Sequence, residues 1–238
     1  MSEGSAGSAI EIENLSFSWE QGKLILSVNQ FKAAPGEAVF IRGPSGSGKS
    51  TFLNLLGGVI RPQSGSIKLL DKEITLLKPS QVDHFRSDHT GYIFQQFNLL
   101  PYLGVLENVL LPCRFSDRRR LRAEEKFSSL EEGARHLLER LGFSQRLIDT
   151  QSVLELSTGQ QQRVAAARAL LGAPEIIIAD EPTSALDSDH RDLFIDLLRE
   201  QCDAQGSTLL FVSHDSFLES HFDRIETLKP SPQGGFVL

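Results

Sequence analysis

The sequence predicts an α/β fold built on a parallel sheet, and three features carry that expectation. Short apolar runs of strand type, Ala38–Ile41, Ile176–Ala179 and Thr208–Val212, alternate with stretches of helical spacing. A glycine-rich loop at 43–51 joins one such strand to one such helix. Two adjacent carboxylates, Asp180 and Glu181, close another strand, at the edge where ligands of open α/β sheets bind.

Taken in order, Ile10–Trp19 alternates well enough to form a strand, and Leu24–Phe31 reads as a second. Pro35–Gly36 is a turn, Ala38–Ile41 a short buried strand, and Ser50–Leu56 restarts with helical spacing. Ile67–Leu70 is another strand, followed by a polar stretch through Asp88. From about Gln96 to Leu154 the strand signals vanish and charge rises, with helical periodicity over Arg122–Leu141. That change predicts an inserted helical lobe. A helix rich in Ala and Arg follows over Gln161–Leu171, then strand Ile176–Ala179, helix Arg191–Glu200 and strand Thr208–Val212. The expected organisation is a disordered tail over 1–9, one domain over 10–230 and a C-terminal tail over 231–238. Within the domain, the helical insertion spans about 96–165. No internal repeat is visible.

At 238 residues and 40% hydrophobic content, the chain can bury the core of one large domain. Its net charge of −7 argues against coating nucleic acid, which needs clustered Lys and Arg. The basic run Arg118–Arg120 with Arg122 is interleaved with Glu124, Glu125, Glu131 and Glu132, the pattern of a solvated helical face. Cys113 and Cys202 lack metal-ligand spacing and read as reduced thiols. No apolar run approaches the roughly 18 residues that span a bilayer. Met1–Ala9 lacks the basic and apolar parts of a signal peptide, so a soluble chain is expected.

Gly43, Pro44, Ser45, Gly46, Ser47, Gly48, Lys49, Ser50 and Thr51 fit G-x-x-x-x-G-K-[ST] between a strand and a helix. Glycines let the backbone wrap around phosphate with its N–H groups inward, and the helix adds its positive N-terminal end. Lys49 brings charge to the outer phosphates, and the Ser50 hydroxyl is a hard oxygen ligand for Mg²⁺. An ordinary Gly/Ser turn would not carry Lys-Ser at this offset. ATP and Mg²⁺ are the ligands implied.

Asp180 is placed to hold Mg²⁺, through water, beside the phosphates. Glu181, expected on the opposite side of the pleat, is free to polarise a water for attack on the γ-phosphate. Alone, the pair would equally serve as a helix cap. His214 follows strand Thr208–Val212 at the same edge and is a candidate γ-phosphate contact. Gln95, after Tyr92-Ile93-Phe94, carries little signal by itself.

Ser157 sits where an N-cap should be, before Thr158, Gly159 and Gln160, and this helix end too could take an anion. One nucleotide needs one cradle, so a second phosphate-binding end makes sense if two chains close each other's nucleotides. As pure structure it would be a capped helix.

With these motifs assembled, the chain resembles the nucleotide-binding subunit of an ATP-binding cassette (ABC) transporter over about Ile10–Leu228. The matching segments are GPSGSGKST (43–51), IFQQ (93–96), LSTGQQQR (156–163), IIIADEPTSALD (176–187) and VSHD (212–215). The resemblance implies a P-loop ATPase core with a parallel sheet, an antiparallel β subdomain and an inserted α-helical subdomain. It further implies that Trp19 stacks on adenine and that Gln95 contacts Mg²⁺ and senses the permease. Ser157 and Gly159, with Gln160 in the same motif, would bind the partner chain's ATP. Glu181 would be the general base, Asp187 part of the loop joining the two sites, and His214 the switch histidine. Two positions depart from the pattern. Trp19 replaces the usual Tyr and still offers a π surface, and Thr158 replaces a Gly of the signature.

Residues 91–101, followed by Glu107-Asn108-Val109, are similar to the MacB- and LolD-type ATPases, and the FtsE-type ATPase is close to the same pattern. The expected partner is a separate integral membrane permease, driven by an ATP-dependent homodimer at the cytoplasmic face of the inner membrane. The expected cargo class is lipoprotein, lipid or drug. An FtsE-type mechanical or regulatory role is the alternative. A soluble repair or translation ATPase is disfavoured: there is no sustained heptad run before Ser157 and one cassette per chain. The apolar cluster Phe97, Leu99, Leu100, Tyr102 and Leu103 is either a permease-docking surface or lobe core.

Overall fold

The computed structural model describes residues 7–20, 23–150, 152–184, 186–232 and 234–238. Its elements run β1 (Ile10–Ser18), β2 (Leu24–Ala33), β3 (Ala38–Arg42), α1 (Lys49–Leu56), β4 (Ser64–Leu69), β5 (Lys72–Glu73), α2 (Pro79–His89) and β6 (Thr90–Ile93). The lobe follows as α3 (Val105–Leu110), α4 (Asp117–Lys126), α5 (Leu130–Arg140) and α6 (Gln145–Thr150). Then come α7 (Thr158–Leu170), β7 (Ile176–Asp180), α8 (Ser188–Gln205), β8 (Thr208–Ser213), β9 (Arg224–Thr227), β10 (Lys229–Pro230) and β11 (Phe236–Val237).

Strand alternation sorts the apolar residues into two cores. On β3, Ala38 and Phe40 face one core while Val39 and Ile41 face the other. On β7, Ile177 and Ala179 oppose Ile176 and Ile178; on β8, Leu209 and Phe211 oppose Leu210 and Val212. Both faces being covered is what a continuous apolar run in a parallel strand requires. These strands form the parallel sheet β6-β7-β8-β3-β9, and its first core holds α7 and the helical lobe. The second core lies between that sheet, α1 and a second sheet, β10-β11-β2-β1-β4-β5. The second sheet is antiparallel except at β11, which runs parallel to β2. The fold is therefore of the α/β class expected, with parallel sheet, antiparallel sheet and helices.

The structure differs from the sequence expectation in several segments. The polar stretch before Asp88 is largely helix α2, begun by Pro79 and a Lys78 N–H donated to Gln81 Oε1 at 3.0 Å. Only Val82 and Phe85 of that helix are buried, too few apolar positions to show a period. The periodicity over Arg122–Leu141 is two helices, because Ser129 accepts the Glu132 N–H and starts α5 afresh. At the N-terminus, residues 1–6 lie outside the described residues, but Ala9 is buried and donates to the Ala33 carbonyl. The segment 231–238, expected as a tail, carries β11 into the second sheet. No helix among the described residues is long and apolar enough to cross a membrane.

Candidate ATP site and the helix start at Ser157

The parallel register brings four strand ends to one edge. Arg42 pairs with Ser213, Asp180 with Val212, and Ile93 with Ala179. The segments leaving these ends carry the phosphate loop, His214, Glu181 and Gln95. A cleft of about 440 Å³ opens there, lined by Trp19, Ser45, Gly46, Gly48, Lys49, Ser50, Thr51, Gln95 and Glu181. Ile25 on β2 completes its wall, a contact that sequence patterning could not single out from other strand residues.

The loop's glycines are needed where the backbone turns left-handed, with Gly46 at φ 80° and Gly48 at φ 86°. Gly48 leads directly into α1, so the helix N-terminus faces the loop. The Ser47 hydroxyl is buried against Gly43 with no hydrogen-bond partner, an orphan polar atom within the cradle. Lys49 is 5% exposed and donates to the Gly43 carbonyl at 2.8 Å and the Pro44 carbonyl at 3.0 Å. Its Nζ also lies 3.2 Å from Glu181 Oε1.

Glu181 does not continue the pleat. Its φ of 43° ends the strand, and its N–H donates to the Val212 carbonyl at 2.9 Å. The expectation that Asp180 and Glu181 point to opposite sides is corrected: both reach the phosphate loop. Asp180 Oδ2 accepts from the Ser50 hydroxyl at 3.1 Å, and Glu181 meets Lys49. His214 Nδ1 lies 3.1 Å from Glu181 Oε2, so one carboxylate spans lysine and histidine. Burial pushes the Asp180 carboxyl up, and Glu181 adds repulsion, against the Ser50 hydrogen bond and the Lys49 charge. A cation at Ser50 and Asp180 would relieve that cost, and these hard oxygens fit Mg²⁺. Trp19 is 63% exposed at the cleft, its ring braced edge-on by Phe17 with centroids 4.9 Å apart.

Ser157, Gly159 and Gln160 do not line this cleft. They form the start of α7, where Ser157 Oγ accepts the Gln160 N–H at 3.3 Å and Gln160 Oε1 accepts the Ser157 N–H at 2.9 Å. Ser157 is exposed. Asp187 caps α8, accepting from His190 N at 3.1 Å, and that hydrogen bond holds its carboxyl below the usual range.

The apolar cluster at 97–103 divides. Phe97 is buried and Leu99 packs on the lobe core, whereas Tyr102 is 77% exposed. A groove of about 690 Å³ lies instead beside Gln95, between α2 and the lobe. Asp83, His84 and Arg86 line one side; Phe94, Leu111, Pro112 and the exposed Phe115 line the other. The sequence reading missed this groove because its two walls come from segments that only the fold brings together.

Comparison with known proteins gives a consistent result. The family model described as "ABC transporter" matches residues 26–184. The chain is 39% identical over 228 residues to a lipoprotein-releasing system ATP-binding protein LolD from Syntrophotalea carbinolica, covering 94% of this chain and 96% of that one. It is 41% identical over 218 residues to a macrolide export ATP-binding/permease protein MacB 2 from Aeromonas hydrophila, covering 92% of this chain but only 32% of that protein. The chain thus spans about a third of the MacB relative's length. Among solved structures, the dimeric bacterial ABC transporter cassette MJ0796 superposes with a TM-score of 0.76 at 34% identity, over 95% of this chain and 96% of that one. The same cassette in a post-hydrolysis state bound to ADP and Pi gives a TM-score of 0.75 at 35% identity.

Proposed function

The chain belongs to the ABC transporter family as an ATP-hydrolysing cassette, and from that premise we propose that two copies close on ATP to drive a separate membrane permease of MacB or LolD type. The single observation that carries the proposal is the separation between the Lys49 cleft and the exposed start of α7. One copy supplies the phosphate loop; Ser157 and Gly159 of the other cap the same triphosphate.

In this reading the triphosphate takes over Lys49, which exchanges Glu181 for phosphate oxygens. Gly46, Gly48 and the start of α1 direct N–H groups at the phosphates. Trp19 stacks on the adenine. Ser50 and Asp180, with Gln95 beside them, would hold Mg²⁺, which would supply charge neutralisation. Glu181, released from Lys49, accepts a proton from a water as that water's oxygen bonds to the γ-phosphorus. The bond to the β–γ bridging oxygen breaks, giving ADP and phosphate. His214, beside the opposite Glu181 oxygen, would donate to the γ-phosphate. Hydrolysis removes the shared group and lets the copies part.

The groove between α2 and the lobe, bordered by Phe94 and Phe115, is the docking place for a permease helix in this reading. The chain would then work as a peripheral subunit at the cytoplasmic face of the inner membrane. The test is retention of membrane proteins by Glu181→Gln in the presence of ATP. Recovery of an integral membrane protein only with ATP supports the transporter role, and its absence defeats it. Sizing the same variant with and without Mg-ATP separately tests the shared site, which fails if the particle stays monomeric.

A further inference from the structure

We propose that Arg168 is the positioning residue that holds the Gln95 loop in register with the helix beginning at Ser157. Gln95 sits in a tight turn closed by the Phe97 N–H donated to the Phe94 carbonyl at 2.9 Å. The two residues that leave this turn, Phe97 and Asn98, are both left-handed, at φ 57° and 48°. Asn tolerates that conformation, but a bulky residue such as Phe97 adopts it only where its surroundings impose it. Arg168 supplies the constraint: Nη2 donates to the Phe97 carbonyl and Nη1 to the Asn98 carbonyl, the latter at 2.7 Å. A planar fork matches two successive carbonyls in a way a single ammonium does not.

Arg168 is itself anchored. It lies in the last turn of α7, where the carbonyls have no helical partners. Arg119 of α4, 3% exposed, donates there to the carbonyls of Arg168 at 3.1 Å, Ala169 at 2.6 Å and Leu171 at 2.7 Å. Among the described residues neither arginine forms a direct ion pair, and their hydrogen bonds go to main-chain carbonyls. Such hydrogen bonds are sensitive to backbone geometry. The C-terminal turn of α7 is thus a junction, gripped by the lobe through Arg119 and gripping the Gln95 loop through Arg168. Both arginines line the groove between α2 and the lobe.

This inference rests on the role given to Gln95 above, and the experiment separates the two. Hydrogen exchange of the full chain carrying Arg168→Lys is compared with wild type. The amides of the 96–100 segment are expected to exchange roughly tenfold faster, with those of α1 and β7 unchanged. Unchanged exchange at 96–100 overturns the proposal. In parallel, kcat is measured for Arg168→Lys, Gln95→Ala and the double variant. Arg168→Lys is expected to lower kcat about tenfold with KM for ATP within about twofold, and the double variant to match Gln95→Ala. Losses that multiply overturn the proposal, since a merely structural arginine would act independently of Gln95. Should Gln95→Ala cost nothing, the role of Gln95 fails while exchange still decides the clamp. If the lysine variant does not fold, Arg168→Gln serves in both measurements.

Discussion

The edge of the parallel sheet and the start of α7 both carry phosphate-binding residue types, but they are wired differently. At the sheet edge, side chains from distant segments engage one another: Lys49 with Glu181, Glu181 with His214, Ser50 with Asp180. At the α7 start, the side chains of Ser157 and Gln160 each accept the other's main-chain N–H, across a single helical turn. The first region is organised within one chain and awaits a substrate. The second has its side chains met locally and stands outside that cleft. Under the proposed function, the contrast assigns the chemistry to the fold of one copy and its timing to the meeting of two.

The largest effect should come from the sheet edge. Glu181→Gln is expected to lower kcat by about 10²- to 10⁴-fold, the usual worth of a general base, while ATP binding persists. Single-turnover hydrolysis measures it, and near-normal turnover would break the assignment of chemistry to this edge. Ser157→Arg should come next and sharpen the contrast. We expect ATPase activity to fall about 10²-fold, as when a transition-state donor is lost, and the ATP-dependent dimer to disappear. ATP binding to the monomer, followed by Trp19 fluorescence, should stay within about twofold, because Ser157 lies outside that chain's own cleft. A matching loss of monomer binding would mean the two regions are one site.

How much of this was legible in the sequence follows the same division. The phosphate loop, Asp180 and Glu181 could be read because local geometry dictates them: glycines at left-handed positions, then Lys-Ser at a helix start, then acids at a strand end. The strands of the parallel sheet were legible because each is a continuous apolar run with both faces covered. The Lys49–Glu181–His214 chain was not legible, since the left-handed turn at Glu181 cancels the alternation that a strand implies. Helix α2 escaped because it buries only Val82 and Phe85. The Arg119 and Arg168 contacts escaped because their partners are backbone carbonyls, which leave no trace in side-chain chemistry. A buried arginine in an Ala-rich helix was the one available hint.

Trp19 offers a smaller, cleaner test of the sheet edge. Removing the ring with Trp19→Ala should weaken ATP binding about tenfold, in line with roughly 1–3 kcal/mol for stacking a base on an aromatic ring. Trp19→Phe should recover most of the loss, and equilibrium binding of ATP would show it. Equal weakening by both variants would mean that the indole contributes through something other than its π face.

The smallest expected effect on activity concerns the seam between the lobe and the core. Glu175, just before β7, accepts from His89 at 2.9 Å, from Arg118 at 2.6 Å and from Arg122 at 2.6 Å. Burial pushes its carboxyl up, but the hydrogen bonds from His89 and Arg118 and the charge of Arg122 outweigh it and hold it at about 2, against an ordinary 4.5. The sign follows from linkage: a carboxyl depressed in the folded state stabilises above its unfolded value and loses that contribution as pH falls toward 2. Discounted for partial exposure, Glu175→Gln should cost about 2 kcal/mol at pH 7, lowering Tm by about 4–8 °C. Below about pH 4.5 the gap between variant and wild type should narrow, because wild-type Glu175 then loses its own advantage. Because Glu175 lines neither the cleft nor the groove and bonds neither Arg168 nor the Gln95 loop, kcat should remain within about twofold at 25 °C. A large fall in kcat with Tm unchanged would place the lobe seam inside the catalytic cycle and dissolve the distinction between the two regions.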